Sequence, residues 1–462
     1  EERMLLQSVK SQGLSHISYI LGDGGYAAVI DPRRDCRVYL DIACKNGMQI
    51  THIFETHRNE DYIIGSQELS AITGAAVYHG KALDFTYGQA AVQGDVFEFG
   101  QIRLKILETP GHTFESLSLV LYDTGSGEEP LAVFTGDALF IGDVGRTDFF
   151  PDRLEETAGL LYDSIFTKLL PLGDQVLLYP AHGAGSVCGA GMADRDFSSL
   201  GYERRTNPSL QVDSREAFIR NKIGERHVKP VYFSRMEQAN LHGAPAVEPL
   251  NPPPPLQADQ FEQAMRDGMI AVDIRSPEAF AGAYIPGSLA IPLEMLPVYG
   301  GWFLPYERDI GLIVDSFRDV DPARRYLARI GYDRVVGFLE QGLHDWEIQG
   351  KYYETIPAIF AGEIQQRIRD QEDFTLLDVR SLDEFEQGHL PNAQHIFLGK
   401  LPERLGEIGS SRPVTTFCGS GQRAIIAASI LKQNGFREVE DCLGSMQACA
   451  RGVCEIVGGG IE

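Results

Sequence analysis

No stretch of the chain approaches the roughly 18 consecutive apolar residues that a bilayer-spanning helix requires. Clusters of basic residues are also missing. The formal net charge of −24 excludes the Lys- and Arg-rich surface that a nucleic-acid or anionic-membrane partner demands. The opening residues, EERMLLQSVKSQGLSHISYIL, hold no basic segment followed by an apolar one, so the expectation is a soluble, cytoplasmic chain with no membrane partner. Cysteine is scarce: seven residues (Cys36, Cys44, Cys188, Cys418, Cys442, Cys449 and Cys454), an odd number with no CxxC pair. That pattern predicts reduced thiols rather than a disulfide framework.

What is present exceeds one hydrophobic core, because 462 residues call for two to four domains. The strongest punctuation is Asn251-Pro-Pro-Pro-Pro255, a semi-rigid polyproline stretch. It predicts a large domain over 1–245, a linker over 246–256, and smaller domains over 257–352 and 353–462. The two smaller segments repeat one another. Asp273-Ile-Arg-Ser-Pro-Glu-Ala-Phe280 recurs as Asp378-Val-Arg-Ser-Leu-Asp-Glu-Phe385, Pro286 matches Pro391, and Tyr326–Tyr332 matches Ile430–Phe436. Each unit alternates apolar runs (270–274 and 312–314; 376–379 and 414–417) with helix-like stretches, which predicts an α/β fold with a parallel sheet.

The first segment alternates apolar and polar residues over 27–30, 50–55, 75–78, 102–108, 116–121, 131–134 and 175–179, with an amphipathic helix over 153–170. Four blocks come directly after predicted strands: Glu55-Thr-His-Arg-Asn-Glu-Asp-Tyr62, Thr109-Pro-Gly-His-Thr113, Thr135-Gly-Asp137 and Pro180-Ala-His-Gly-Ala184. Strands that deliver polar residues to one rim assemble a metal site. Lone histidines (His16, His52, His79, His227) read as structural, and Cys188 as packed beside glycines.

The order of these blocks resembles the metallo-β-lactamase superfamily, and the Gly142-Asp-Val-Gly-Arg-Thr-Asp148 stretch resembles its persulfide dioxygenase branch. The resemblance implies an αββα sandwich with one Fe(II) per chain held by His57, His112 and Asp137. Two imidazoles and a carboxylate are the facial triad of non-haem iron oxygenases. The HxHxDH motif appears here as His57-x-Asn59-x-Asp61-Tyr62. Asn59 and Tyr62 replace imidazoles that a dinuclear zinc hydrolase needs, so oxygenase is preferred to hydrolase. Asp61 and His182 are expected to orient ligands or bound water, Tyr62 to plug the vacated second site, and Arg146 with Asp148 to form an ion pair.

In the last domain, a strand ending at Phe417 runs into Cys418-Gly419-Ser420-Gly421-Gln422-Arg423 and then a helix. A thiol at such a turn sees backbone N–H groups and the positive end of a helix, both of which stabilise a thiolate; Arg423 is expected to add a cation. The loop, with Asp378-Val-Arg380 and Gly388-His-Leu-Pro391, resembles the rhodanese family, in which Cys418 would carry sulfur. Phosphate-gripping cysteine loops are one residue longer. In the first copy the equivalent place falls within Ile313-Val-Asp315, followed by Ser316-Phe-Arg-Asp-Val-Asp321, without a thiol, which predicts a spacer or docking surface; Leu339–Trp346 resembles the rhodanese Gly-Trp element.

The whole order resembles bacterial persulfide dioxygenase–sulfurtransferase fusions, which detoxify sulfide. It implies a low-molecular-weight thiol persulfide and O₂ as substrates, sulfite or thiosulfate as sulfur partners, no nucleic acid, and a homo-oligomer. Glutathione, coenzyme A and bacillithiol are not distinguished as thiol carrier. Two alternatives stay open: a zinc thioester hydrolase of glyoxalase II type, and a sulfur-trafficking protein whose metal site is not catalytic.

Overall fold

A computed structural model describes residues 4–186, 191–195 and 197–458. The first part of the chain builds two six-stranded sheets. One contains β1 (Leu5–Ser11), β2 (His16–Asp23), β3 (Tyr26–Ile30), β4 (Gln49–Phe54), β5 (Ala76–Gly80) and β6 (Gln89–Ala91), in sequential order. The other contains β7 (Val96–Phe99), β8 (Ile102–Glu108), β9 (Leu117–Asp123), β10 (Pro130–Gly136), β11 (Leu177–Pro180) and β12 (Ser198–Ser199).

The period-two alternation of a strand decides which side chain enters which layer. In β9, Leu117, Leu119 and Leu121 face the first sheet, where they meet Leu21, Ile30 and Phe54. Val120 points the other way and joins Leu161 and Ile165 from the covering helix. Tyr39 and Ala43, from the helix Arg37–Lys45, cover the outer face of the first sheet. The result is the expected αββα sandwich.

The segment predicted as one helix over 153–170 comprises a 3₁₀ turn at Pro151–Arg153, the helix Leu154–Asp163 and a π-turn at Ser164–Leu169. It connects β10 to β11, which pair in parallel. The hairpin β1–β2, antiparallel from Leu5↔Gly22 to Ser11↔His16, escaped the pattern because LLQSVKS alternates poorly. It matters to the site, since it delivers His16.

The remainder builds two five-stranded, all-parallel sheets. The first holds β13 (Pro255–Leu256), β14 (Ile270–Asp273), β15 (Leu289–Ala290), β16 (Ile310–Ile313) and β17 (Val335–Leu339), in the order β13-β17-β16-β14-β15. The second holds β18 (Ala358–Phe360), β19 (Thr375–Asp378), β20 (Gln394–His395), β21 (Val414–Phe417) and β22 (Val439–Leu443), in the order β18-β22-β21-β19-β20. The repeated Asp-x-Arg makes the same contact in both. Arg275 grips Asp273 and the Ala283 carbonyl, and Arg380 grips Asp378 and the Gly388 carbonyl.

By internal contacts the chain divides into a unit of residues 1–250 with 328–331, and a unit of 251–327 with 332–462. The end of the expected proline linker is already sheet. Pro255 and Leu256 form β13, beside β17. The edge position explains why the missing proline N–H is tolerated there. The expectation of reduced thiols is also corrected, because Cys449 and Cys454 are disulfide-bonded with Cα atoms 4.7 Å apart. A turn through Gly452, at φ 86°, folds the chain back to bring them together. Cys36, Cys44, Cys418 and Cys442 are free, and Cys188 lies outside the described residues. No helix among the described residues is long and apolar enough to cross a membrane.

The inter-sheet core makes a direct prediction. Leu119→Ala removes a fully buried side chain and should cost about 2–5 kcal/mol, read as a lowered urea midpoint of the N-terminal unit.

Candidate functional site

Loops at the ends of the strands converge on one buried cluster. His57 follows β4, His112 lies in the turn between β8 and β9, and Asp137 follows β10. Glu60 joins them, and donor atoms of all four residues lie within 4.8 Å of one another. His57 Nε2 stands 3.6 Å from Asp137 Oδ2, and His112 Nε2 stands 3.5 Å from the same oxygen.

Each imidazole is held by its other nitrogen. The Thr56 hydroxyl donates to Asp31 at 2.7 Å and so accepts from His57 Nδ1 at 2.9 Å. This puts the lone pair of His57 on Nε2, which is buried and without a hydrogen-bond partner. Burial lowers His57 to about 4, so the ring is neutral and ready to ligate. His112 Nδ1 donates to the Arg146 carbonyl at 2.9 Å, and its Nε2 meets Glu60 Oε1 at 3.1 Å. Burial opposes the charge of Glu60, but the His112 imidazole outweighs it and brings the carboxyl to about 2. Burial likewise opposes the charge of Asp137, yet His182, hydrogen-bonded to it, holds it well below the usual carboxylate range.

An ion suits this arrangement. A buried nitrogen lone pair with no protein partner faces buried carboxylates, and the donor set of imidazole and carboxylate fits a first-row divalent metal. Backbone fit is tight: a Cβ at Gly145 would stand 2.0 Å from the Asp137 carbonyl oxygen.

The flanking residues have distinct placements. His182 bridges the Asp137 carboxylate through Nδ1 at 2.8 Å and Asp61 through Nε2 at 3.1 Å. The Asn59 amide turns away to donate to the His57 carbonyl at 3.2 Å. Tyr62 is fully buried and hydrogen-bonded to His16 Nε2 at 2.8 Å. Burial drives His16 well below its ordinary value. The phenol therefore donates to Nε2, and His16 Nδ1 donates to Ser11 Oγ at 3.0 Å. Arg146 and Asp148 form a bidentate pair at 2.6 and 2.7 Å.

Sequence reasoning missed Glu60, which occupies a spacer position of the motif; its acidic character was the available signal. It also missed Asp31 and Asn240. Asn240, on the helix Phe233–His242, donates to the Asn59 and Tyr62 carbonyls at 2.6 and 2.7 Å and accepts from Ile64 N at 2.9 Å. Nothing local in the sequence marks that role. His16, read as merely structural, is the partner of Tyr62.

In the last domain Cys418 is buried at the end of β21. Gly421, at φ 100°, turns its N–H to Sγ at 3.1 Å. The Ser445 hydroxyl receives Cys418 N at 3.1 Å, and Met446 N and Gln447 N bind the Cys418 and Gly419 carbonyls at 3.0 and 2.8 Å. Arg423, expected to add a cation, binds the Glu384 carboxylate through both terminal nitrogens at 2.7 Å. Its charge is shared with that acid. In the first copy, Ser316 caps a 3₁₀ turn at Phe317–Asp319 that leads into the helix Val320–Arg329.

The Metallo-beta-lactamase superfamily matches residues 12–182, and the Rhodanese-like domain matches residues 257–349 and 360–451. Persulfide dioxygenase ETHE1, mitochondrial, of Mus musculus is 30% identical over 236 residues, covering 48% of this chain and 82% of that protein. Hydroxyacylglutathione hydrolase GloC of Haemophilus influenzae is 26% identical over 219 residues, covering 43% of this chain and 93% of that protein. The crystal structure of a metallo-beta-lactamase from Staphylococcus aureus superposes with a TM-score of 0.66 at 31% identity, covering 72% of this chain and 98% of that one.

Asn240→Ala leaves buried backbone groups around the Asn59–Ile64 loop unpaired. It should cost about 1–3 kcal/mol and weaken metal binding roughly 10–100-fold. Thermal melting and competition with a chelator measure the two effects.

Proposed function

The chain belongs to the persulfide dioxygenase family, its metallo-β-lactamase-fold domain being followed by two rhodanese-like domains, and on that premise we propose that it oxidises a low-molecular-weight thiol persulfide with O₂ at a single Fe(II) and moves sulfane sulfur through Cys418. The observation that carries this reading is the buried cluster of His57, His112 and Asp137, with Glu60 beside it. Bound iron would supply the redox chemistry between persulfide sulfur and dioxygen.

The protein's own residues hold and orient. His57 offers an Nε2 lone pair fixed by Thr56, and His112, its Nδ1–H held on the Arg146 carbonyl, offers Nε2 once the proton it shares with Glu60 is displaced. Asp137 offers a carboxylate steadied by His182. Glu60 is within reach as a further oxygen donor, or as the hydrogen-bond partner of His112. The net reaction converts a persulfide anion, dioxygen and water to free thiol, sulfite and a proton.

At the second site, the Gly421 N–H and the start of the helix Gln422–Gln433 favour an anionic sulfur on Cys418. Sulfite attacking the outer sulfur of a Cys418 persulfide gives thiosulfate and returns the thiolate. The reverse direction loads the cysteine, and the abundance of each species sets which runs.

A two-zinc thioester hydrolase is disfavoured. The side chains at 59 and 62 are an amide committed to the His57 carbonyl and a phenol committed to His16.

Protein purified anaerobically under reducing conditions should contain one iron per chain and consume O₂ only with a persulfide such as glutathione persulfide. Stoichiometric zinc with cleavage of S-lactoylglutathione would overturn the oxygenase reading. Cys418→Ser should abolish sulfur transfer and leave persulfide-dependent O₂ uptake within about twofold; His57→Ala should do the opposite. Joint loss of both activities in Cys418→Ser would refute the division between sites.

A further inference from the structure

The side chains around Cys418 bring it no net positive charge. Arg423 is the one basic residue of the loop Cys418–Arg423, and both of its terminal nitrogens bind the Glu384 carboxylate at 2.7 Å. Burial opposes the charge of Glu384, but the guanidinium outweighs it and brings the carboxyl to about 2. The acid is therefore ionised at neutral pH, and the pair sums to zero. A Cβ at Gly419 would stand 3.0 Å from Arg423 Nη2 and 3.9 Å from Glu384 Oε1, so both charges lie against the residue next to the thiol. The Gly421 N–H reaches the sulfur itself at 3.1 Å, and a backbone donor of this kind stabilises a single anionic atom.

Sulfur donors differ in the charge they bring to a thiolate. A thiol persulfide reacts in its neutral form, R–S–SH. The Cys418 thiolate attacks the outer sulfur, a Sγ–S bond forms, the S–S bond of the persulfide breaks, and RS⁻ leaves with the electron pair while the proton stays on the transferred sulfur. Thiosulfate offers an outer sulfur on a dianion, and the same attack releases sulfite with the electron pair. That encounter joins a monoanion to a dianion. Without a cation to offset the repulsion, the approach is slow.

We propose that Glu384 determines the specificity of the sulfur-transfer site: by cancelling the charge of Arg423, it makes Cys418 exchange sulfur with thiol persulfides in preference to thiosulfate. The inference rests on the reading of Cys418 as the sulfur carrier. A barrier raised in one direction is raised in the other, so sulfite also takes sulfur slowly from the loaded cysteine. Abundance still sets the direction of each exchange, and Glu384 sets which exchange is fast. The favoured traffic runs between Cys418 and the thiol–persulfide pair, the product and substrate of the proposed oxygenation.

The test is single-turnover loading of the full-length protein by thiosulfate and by the persulfide of 2-mercaptoethanol, which carries no carboxylate. After gel filtration removes excess donor, loaded sulfur is read as thiocyanate formed with cyanide. Glu384→Gln keeps the helix cap over Ser381, since Glu and Gln both serve at that position, and leaves the guanidinium charge uncancelled. It should raise the ratio of the thiosulfate rate to the persulfide rate roughly tenfold. Combining it with Arg423→Gln removes both charges and should return the ratio to within about threefold of wild type. In the wild-type protein, thiosulfate loading should speed up as salt rises, because screening weakens the repulsion. An unchanged or lowered ratio in Glu384→Gln would overturn the inference, as would an equal rise in the double variant or a wild-type thiosulfate rate that falls with salt. Absence of cyanide-releasable sulfur on the wild-type protein with either donor would overturn the reading of Cys418 as carrier, and the inference with it.

Discussion

The Asp137 carboxylate is the constraint around which the first domain is organised. A charge removed from water is tolerated only with partners of matching geometry, and this one has three imidazoles around it: His57 and His112 beside Oδ2, and His182 across both oxygens. Each imidazole comes from a different strand end, so the two sheets must register correctly for the carboxylate to be satisfied. The tight fits at Gly145 and Gly136, where a Cβ would meet the Asp137 carbonyl or Thr56 Oγ1, belong to the same requirement. The backbone of one segment presses on the next because the side chains have to meet.

The triad residues were legible because their type and order follow strand ends, and strand ends in this sandwich share one rim. The residues that hold them were not. Asp31 and Asn240 act through hydrogen bonds set by tertiary folding, and neither lies in a motif. Glu60 was hidden because pattern reading treats its position as a spacer. The sandwich and the repeated parallel sheets followed from apolar alternation. The β1–β2 hairpin, the π-turn after the helix Leu154–Asp163 and the Cys449–Cys454 bond did not, since each depends on local backbone geometry that composition leaves open.

At the thiol loop the partner of Arg423 was hidden for a related reason. Arginine at the end of a Gly-rich loop reads as a cation for an anionic substrate, but Glu384, from a helix that precedes it by 39 residues, takes both terminal nitrogens. The loop's contribution to the sulfur is backbone: the Gly421 N–H and a helix start, available only because Gly421 adopts a left-handed conformation. The first copy keeps the sheet order and the Asp-Arg clasp and differs in the loop after its central strand. A fold can lose its chemistry there without losing its core.

The Tyr62–His16 pair ties the rim of the cluster to the N-terminal hairpin. The phenol spans a buried gap to an imidazole delivered by that hairpin. A shorter side chain at 62 would leave His16 Nε2 without this donor in the interior. Position 62 and the register of β1 against β2 therefore cannot vary independently.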